Sequence, residues 1–213
     1  MLDQNDALIN VWTQFEKICF SDCYARTPTT ELLSMTSTST GWSIDPAHTH
    51  ISFSVSHLGL THTPGIFRRF EACLDFNDSR IEASRVSFEI DVASIDTAFE
   101  MRDEHLRGPD WFNAKEHPNI VFTSAEVRHI EGIHYAIDGE LTIRGVSHPV
   151  TFEVALTGQT VNPWTQSPLI GFTARATVSR SAYGMGAFAS ALGDAVELRL
   201  ETEIVHTAPV QAQ

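Results

Sequence analysis

From Gly41 onward apolar residues fall at every second position, the period of strands that bury one face and wet the other. Ile51, Phe53 and Val55 alternate with Ser52, Ser54 and Ser56, and Phe70, Ala72, Leu74 and Phe76 share a second face. Val86, Phe88, Ile90 and Val92 mark a third strand, and Ile120 and Phe122 open a fourth. Tyr135, Ile137, Leu141 and Ile143 mark a fifth that ends at Gly145, and Val150 to Leu156 a sixth that ends before the Asn162-Pro163 turn. Phe172 to Val178 and Val196 to Ile204 complete a prediction of eight strands.

One stretch breaks the alternation, between Ser94 and Phe122. Thr97 followed by Glu100 is a capping box, which predicts a helix starting at Thr97. Gly108-Pro109 should end it, because glycine supplies the left-handed cap and proline cannot donate the next backbone hydrogen bond. Asp110 then caps a short turn carrying Trp111 and Phe112, two rings in a charged segment that must cover something apolar.

Ahead of Gly41 the period is helical. Leu8, Val11, Trp12, Phe15, Ile18 and Cys19 recur at three- and four-residue steps, with Asn5 or Asp6 as a cap, and Thr27 to Thr40 reads as a Ser/Thr-rich linker. Residues 1–40 are therefore an N-terminal extension, a lid or an oligomerisation helix that would make a homodimer. Residues 41–206 are the strand domain and 207–213 a tail. Met35 offers an alternative start that would leave the extension without a role.

Eight antiparallel strands with one apolar face are best closed into a barrel, because closure removes the exposed edges. A two-sheet sandwich would give the same alternation. The expected fold is thus all-β: an eight-stranded antiparallel barrel with a short covering helix between the third and fourth strands. Thirteen Phe against three Tyr give its inner wall rings but few hydroxyls. Phe53, Val55, Phe70, Leu74, Phe88, Ile90, Phe122, Leu141 and Phe172 are the candidate wall, with Trp111 and Phe112 at the rim. Such an interior is either packed by its own rings or holds one small apolar ligand, and periodicity does not separate the two.

Composition narrows the partners. The 213 residues suffice for one substantial domain. With 14 Lys+Arg against 27 Asp+Glu and a formal charge of −13, the chain lacks the basic face that nucleic acid or anionic lipid requires. Its apolar runs are too short to span a membrane as helices. Asp3 and Asp6 stand where a secretory signal carries Lys or Arg, so a cytoplasmic location is expected. Cys19, Cys23 and Cys73 do not make a disulfide framework, which fits a reducing compartment.

The polar residues suggest little chemistry. His48 and His50 would point to one side of a regular strand, with His57 or His62 nearby, yet no Cys or carboxylate completes a recognised metal spacing, so no metal is assigned. His105 as a general base would need Asp103 to orient it, and neighbours two apart on a helix do not face each other. Asp96, Arg102, Asp103 and His105 are expected instead to tie the helix to the rim, and no catalytic residue is assigned. Among Arg68, Arg69, Arg144 and Arg180, Arg68 shares parity with Phe70 and could pair an anionic ligand end, although a bulge at Arg68–Arg69 would reverse it. A buried Arg180 would need a carboxylate or a ligand, and a salt bridge closing the barrel end is the alternative for each of these arginines.

The segments WSIDPAHTHISFSVSHLGL (42–60), GIFRRF (65–70), SIDTAFEMRDEHL (94–106), FNAKEHPNIVFTS (112–124), LTIRGVSHPV (141–150), GFTARATVSRSAYGM (171–185) and VELRLE (196–201) together resemble the YceI-like, polyisoprenoid-binding family, in order across roughly residues 41–206. Thr49, His148 and Ala182 depart from its usual serine, lysine and acidic residue, and the last two alter charge. The resemblance implies a lipocalin-like barrel holding a long isoprenoid or other lipid chain, and favours a hollow interior. The expected function is binding, storage or transport of a polyisoprenoid, quinone tail or fatty-acid derivative, with no cofactor besides that lipid. Phe53, Val55, Phe70, Leu74, Phe88, Ile90, Trp111, Phe112, Phe122, Leu141, Phe172, Arg68 and Arg180 are the expected ligand-binding residues. A lipid-acting hydrolase or isomerase using His105 and a packed stress-response barrel are the alternatives.

Overall fold

A computed structural model describes residues 41–207. The expected N-terminal helix, its linker, Cys19, Cys23 and nearly all of the C-terminal tail lie outside the described residues. Ten strands form one antiparallel sheet: β1 (Trp42–His57), β2 (Thr61–Phe67), β3 (Phe70–Asp75), β4 (Arg85–Asp91), β5 (Ile95–Asp96), β6 (Asn119–Glu131), β7 (His134–Ile143), β8 (Val146–Val161), β9 (Pro168–Ser179) and β10 (Leu192–His206). Their order is β3-β4-β6-β7-β8-β9-β10-β1-β2-β5. Helix α1 (Glu100–Arg107) lies between β5 and β6.

The all-β barrel is the expected one, with two strands more. β2 escapes the alternation because its sequence, THTPGIF, carries Pro64 and Gly65 where apolar residues would recur. Pro64 is tolerated because β2 pairs β1 along its length but meets β5 only at Ile66 and Phe67, leaving the Pro64 side of the strand without a ladder. Gly65 is required by a close approach: a Cβ there would stand 2.2 Å from Cζ of Phe53, its cross-strand partner. β5 is two residues long, too short for periodicity to register.

β2 and β3 act as one bent strand. At the corner Arg68 N–H donates to Ser94 O (3.2 Å), Asp91 N–H to Arg69 O (3.1 Å) and Arg69 N–H to Ser94 Oγ (3.0 Å), which joins the two ends of the sheet there. Beyond the corner β3 approaches β1 with no ladder between them, so hydrogen bonding does not close the whole circumference.

Two local expectations are corrected. α1 starts at Glu100, not Thr97; its cap is Phe99 and no side chain caps it. Thr97 turns inward, where it serves the lid described below. β1 is not regular around its histidines: its register against β10 shifts between Asp45 and His50, and Asp45 accepts from Ala47 N–H (2.9 Å) and pairs with His48 (2.7 Å) inside the bulge. The parity that would align His48 with His50 is lost.

The apolar faces meet inside. The larger cluster includes Phe67, Phe88, Ile90, Val92, Ile95, Trp111, Ile120, Phe122 and Leu141, and a smaller one joins Trp42, Phe76, Ile170 and Ile204 at the far end. Gly139 lets the ring of Phe122 lie across β7, since a Cβ there would come within 2.6 Å of it.

Candidate functional site: an apolar cavity under a pinned lid

These side chains line the barrel without filling it. A cavity of about 460 Å³ occupies the interior, and a second of about 100 Å³ extends toward the Trp42 end. The two share Val86, Phe88, Ile137, Ala174 and Leu200, so they are successive chambers along one axis. Because the strands present only their apolar parity inward, the wall of both is almost wholly hydrocarbon.

Phe53, Val55, Phe88, Ile90, Trp111, Phe112, Phe122, Leu141 and Arg180 line the large chamber, and Leu74 and Phe172 the small one. Phe70 lines neither; it packs behind the wall with its ring 5.9 Å from that of Phe88. Arg68 does not face the cavity. The corner at residues 68–69 turns it outward, where Nε (2.7 Å) and Nη2 (2.5 Å) both donate to Asp96 Oδ2, and Arg69 pairs in the same way with Asp91.

Arg180 is buried, and among the described residues no carboxylate pairs with it. Its Nε donates to Gly193 O (2.8 Å), Nη1 to Met185 O and Ala187 O, and Nη2 to Leu192 O (3.1 Å). Four backbone carbonyls thus meet the need expected of an acid, and the guanidinium rests 5.5 Å from the ring centroid of Trp111. Its role is to hold the loop at residues 185–193 against the lid. Arg144, at positive φ in the tight β7–β8 turn, reaches Gly184 O (2.9 Å) and Pro109 O (3.1 Å), tying that loop to the turn after α1.

The lid is α1 and its following turn. Trp111 N–H donates to Gly108 O (3.1 Å) and Phe112 N–H to Leu106 O (3.0 Å), so carbonyls rather than Asp110 hold the two rings. Trp111 Nε1–H donates to His105 Nε2 (3.3 Å), and the ring of Phe188 lies parallel to Trp111 at 6.1 Å. That bond occupies the His105 nitrogen that a general base would use. Asp103 is turned to Thr97, so the Asp103–His105 pair does not form. The sequence reading missed Phe188, Ala174, Tyr183 and Met185 as lining residues; GAFASA (186–191) has no periodicity to reveal it.

Outside the barrel, Asp45, His48 and Glu203 place their ligand atoms within 4.8 Å of one another. His48 Nδ1 lies 2.7 Å from Asp45 and 3.9 Å from Glu203, which holds its pKa above the usual imidazole value. Among the described residues no helix is long and apolar enough to cross a membrane.

Comparison with known proteins matches this geometry. A profile of the YceI-like domain fits residues 42–204. A UPF0312 protein of Pectobacterium carotovorum is 33% identical over 156 residues, 73% of this chain and 80% of its own length. One of Photorhabdus laumondii is 38% identical over 117 residues, of which the chain spans 60% of the relative's length. Among solved structures, BcnA of Burkholderia cenocepacia superposes with a TM-score of 0.69 at 26% identity, covering 76% of this chain and 99% of BcnA. A polyisoprenoid-binding domain from Saccharophagus degradans shares the fold, with a TM-score of 0.54 at 13% identity, over 78% of this chain and 98% of that domain.

Proposed function

The chain belongs to the YceI-like family, and from that premise we propose that it binds one long apolar molecule, an isoprenoid or related lipid chain, inside the barrel without transforming it. The observation that carries this reading is the unfilled hydrocarbon interior. Well-packed cores leave few voids larger than a water, so about 460 Å³ of apolar space under a lid is a feature that an ordinary core lacks.

The size suggests what fits. At about 30 Å³ per water-sized group, the large chamber takes roughly fifteen heavy atoms of chain and the small one a few more. A longer polyprenyl tail would extend beyond the chamber toward solvent, past lining residues such as His57 and Phe188 that are themselves exposed. Each buried methylene contributes about 0.8 kcal/mol before ordering costs, so tight binding needs few polar contacts. The satisfied state of His105, Asp103 and Arg180 supports holding rather than chemistry.

Native mass spectrometry of protein purified without detergent, followed by organic extraction, tests the proposal. A stoichiometric isoprenoid or acyl lipid is expected. A clean apoprotein that also refuses added prenyl and acyl chains would overturn it.

A further inference from the structure

Arg102 stands on the lid helix α1, half-buried, and lines the large chamber. Its guanidinium is held on two sides. Nε donates to Thr97 Oγ1 (2.7 Å) and Nη2 to Thr97 O (2.6 Å), which uses the edge beside the aliphatic stem, and the ring centroid of Phe99 lies 5.7 Å from Cζ. The outer edge is left over. Nη1 makes no hydrogen bond among the described residues, yet it is not sealed inside the protein.

The wall around it offers no counter-charge. No Asp or Glu lines the chamber among the described residues, and Arg102 makes no ion pair there. The other two arginines of the wall are committed: every nitrogen of Arg180 donates to a backbone carbonyl, and Arg199 pairs with Glu201. His57 and Thr63 also border the chamber, but neither carries a permanent charge. A chain with a formal charge of −13 thus keeps its acids out of this wall and leaves one guanidinium edge in it without a partner. A charge set among hydrocarbon is costly unless a group of opposite sign meets it.

We infer that Arg102 is a head-group contact of the cavity, and that the ligand it selects is an apolar chain ending in a carboxylate, a fatty or isoprenoid acid. Nη1 and the second Nη2 proton present two parallel N–H groups, the fork with which arginine takes both oxygens of one carboxylate. One positive charge balances one negative charge, whereas a diphosphate brings several. The head then sits beneath α1, and the tail runs toward the small chamber at the Trp42 end. The inference rests on the cavity being the ligand site.

The test is equilibrium binding of farnesoate, farnesol and farnesyl diphosphate, which share one chain, delivered from cyclodextrin at about pH 8, where the carboxylate is ionised. A charge-assisted pair predicts that the wild type binds the acid roughly tenfold more tightly than the alcohol, and that Arg102→Gln binds the two within about twofold of each other. The ratio is the readout because Arg102 also pins the lid: a loosened lid weakens both chains alike and leaves their ratio unmoved. Equal wild-type affinity for acid and alcohol overturns the inference without any variant, and so does a preference that Arg102→Gln leaves intact. Tighter wild-type binding of the diphosphate than of farnesoate overturns the carboxylate class. A wild type that binds farnesol but not farnesoate sinks this inference alone, whereas one that binds none of the three sinks the cavity reading with it.

Discussion

The carboxylate of Asp103 accepts both the backbone N–H (2.9 Å) and the hydroxyl (2.5 Å) of Thr97, with both residues buried. Arg102 completes the knot by donating Nε to Thr97 Oγ1 (2.7 Å) and Nη2 to Thr97 O (2.6 Å). Two adjacent helix residues therefore pin α1 to the end of β5. Replacing Asp103 with Ala strands both donors of Thr97 and should destabilise the fold by about 3 kcal/mol, since bonds to charged groups in the interior are the costly ones to break. Urea unfolding measures the loss; a change within error would mean that the lid is held by its apolar contacts alone.

Phe188 separates lid function from stability. It is 58% exposed, sits at positive φ, and touches the site through its parallel contact with Trp111. Phe188→Ala should alter stability by less than about 1 kcal/mol, as exposed substitutions do, while releasing bound chain several times faster. Stopped-flow displacement of a fluorescent acyl chain reads the rate. Trp111 is a poorer probe, because it is buried and its removal would cost about 3–5 kcal/mol of packing.

Gly65→Ala should shrink the chamber. The new Cβ would lie 2.2 Å from the Phe53 ring, which must then swing toward the cavity it lines. A destabilisation of about 1–3 kcal/mol from overpacking is expected, together with a shorter maximum chain length in a ligand series. An unaltered length limit would show that Phe53 relaxes elsewhere.

Acid should weaken the barrel through three carboxylates, two half-buried and one exposed. Backbone donation from Ala98 and the side chain of Arg68 hold Asp96 below the usual carboxylate range; Arg128 and Thr151 do so for Asp138, and Ser179 and Ser181 for Asp194. A depressed folded pKa stabilises above the unfolded value near about 3.9 and loses that contribution as pH falls through the folded value. The thermal midpoint should therefore drop below about pH 4. His48 acts oppositely, since its raised pKa stabilises below about 6.5 and fades as pH rises through the folded value. Its exposure keeps that effect small, and His48→Gln should erase it from a pH 6 to 8 comparison.

The strands and their inward faces were legible in the sequence because side-chain direction on a strand follows from local backbone geometry alone. Phe53, Phe88, Phe122 and Leu141 reach the cavity on the parity that the alternation assigned. Cues that depend on distant partners were misleading. Thr97 has the residue three positions on that a capping box needs, yet the buried Asp103 competes for it and wins with two bonds. Arg68 follows the inward parity until a corner held by Ser94 and Asp91 turns it to Asp96. A buried Arg180 called for an acid, and the 185–193 loop supplied carbonyls instead. Whether the rings fill the barrel or line a cavity was decided by tertiary structure alone: it depends on how far apart strands distant in sequence stand across the interior, a distance that no periodicity encodes.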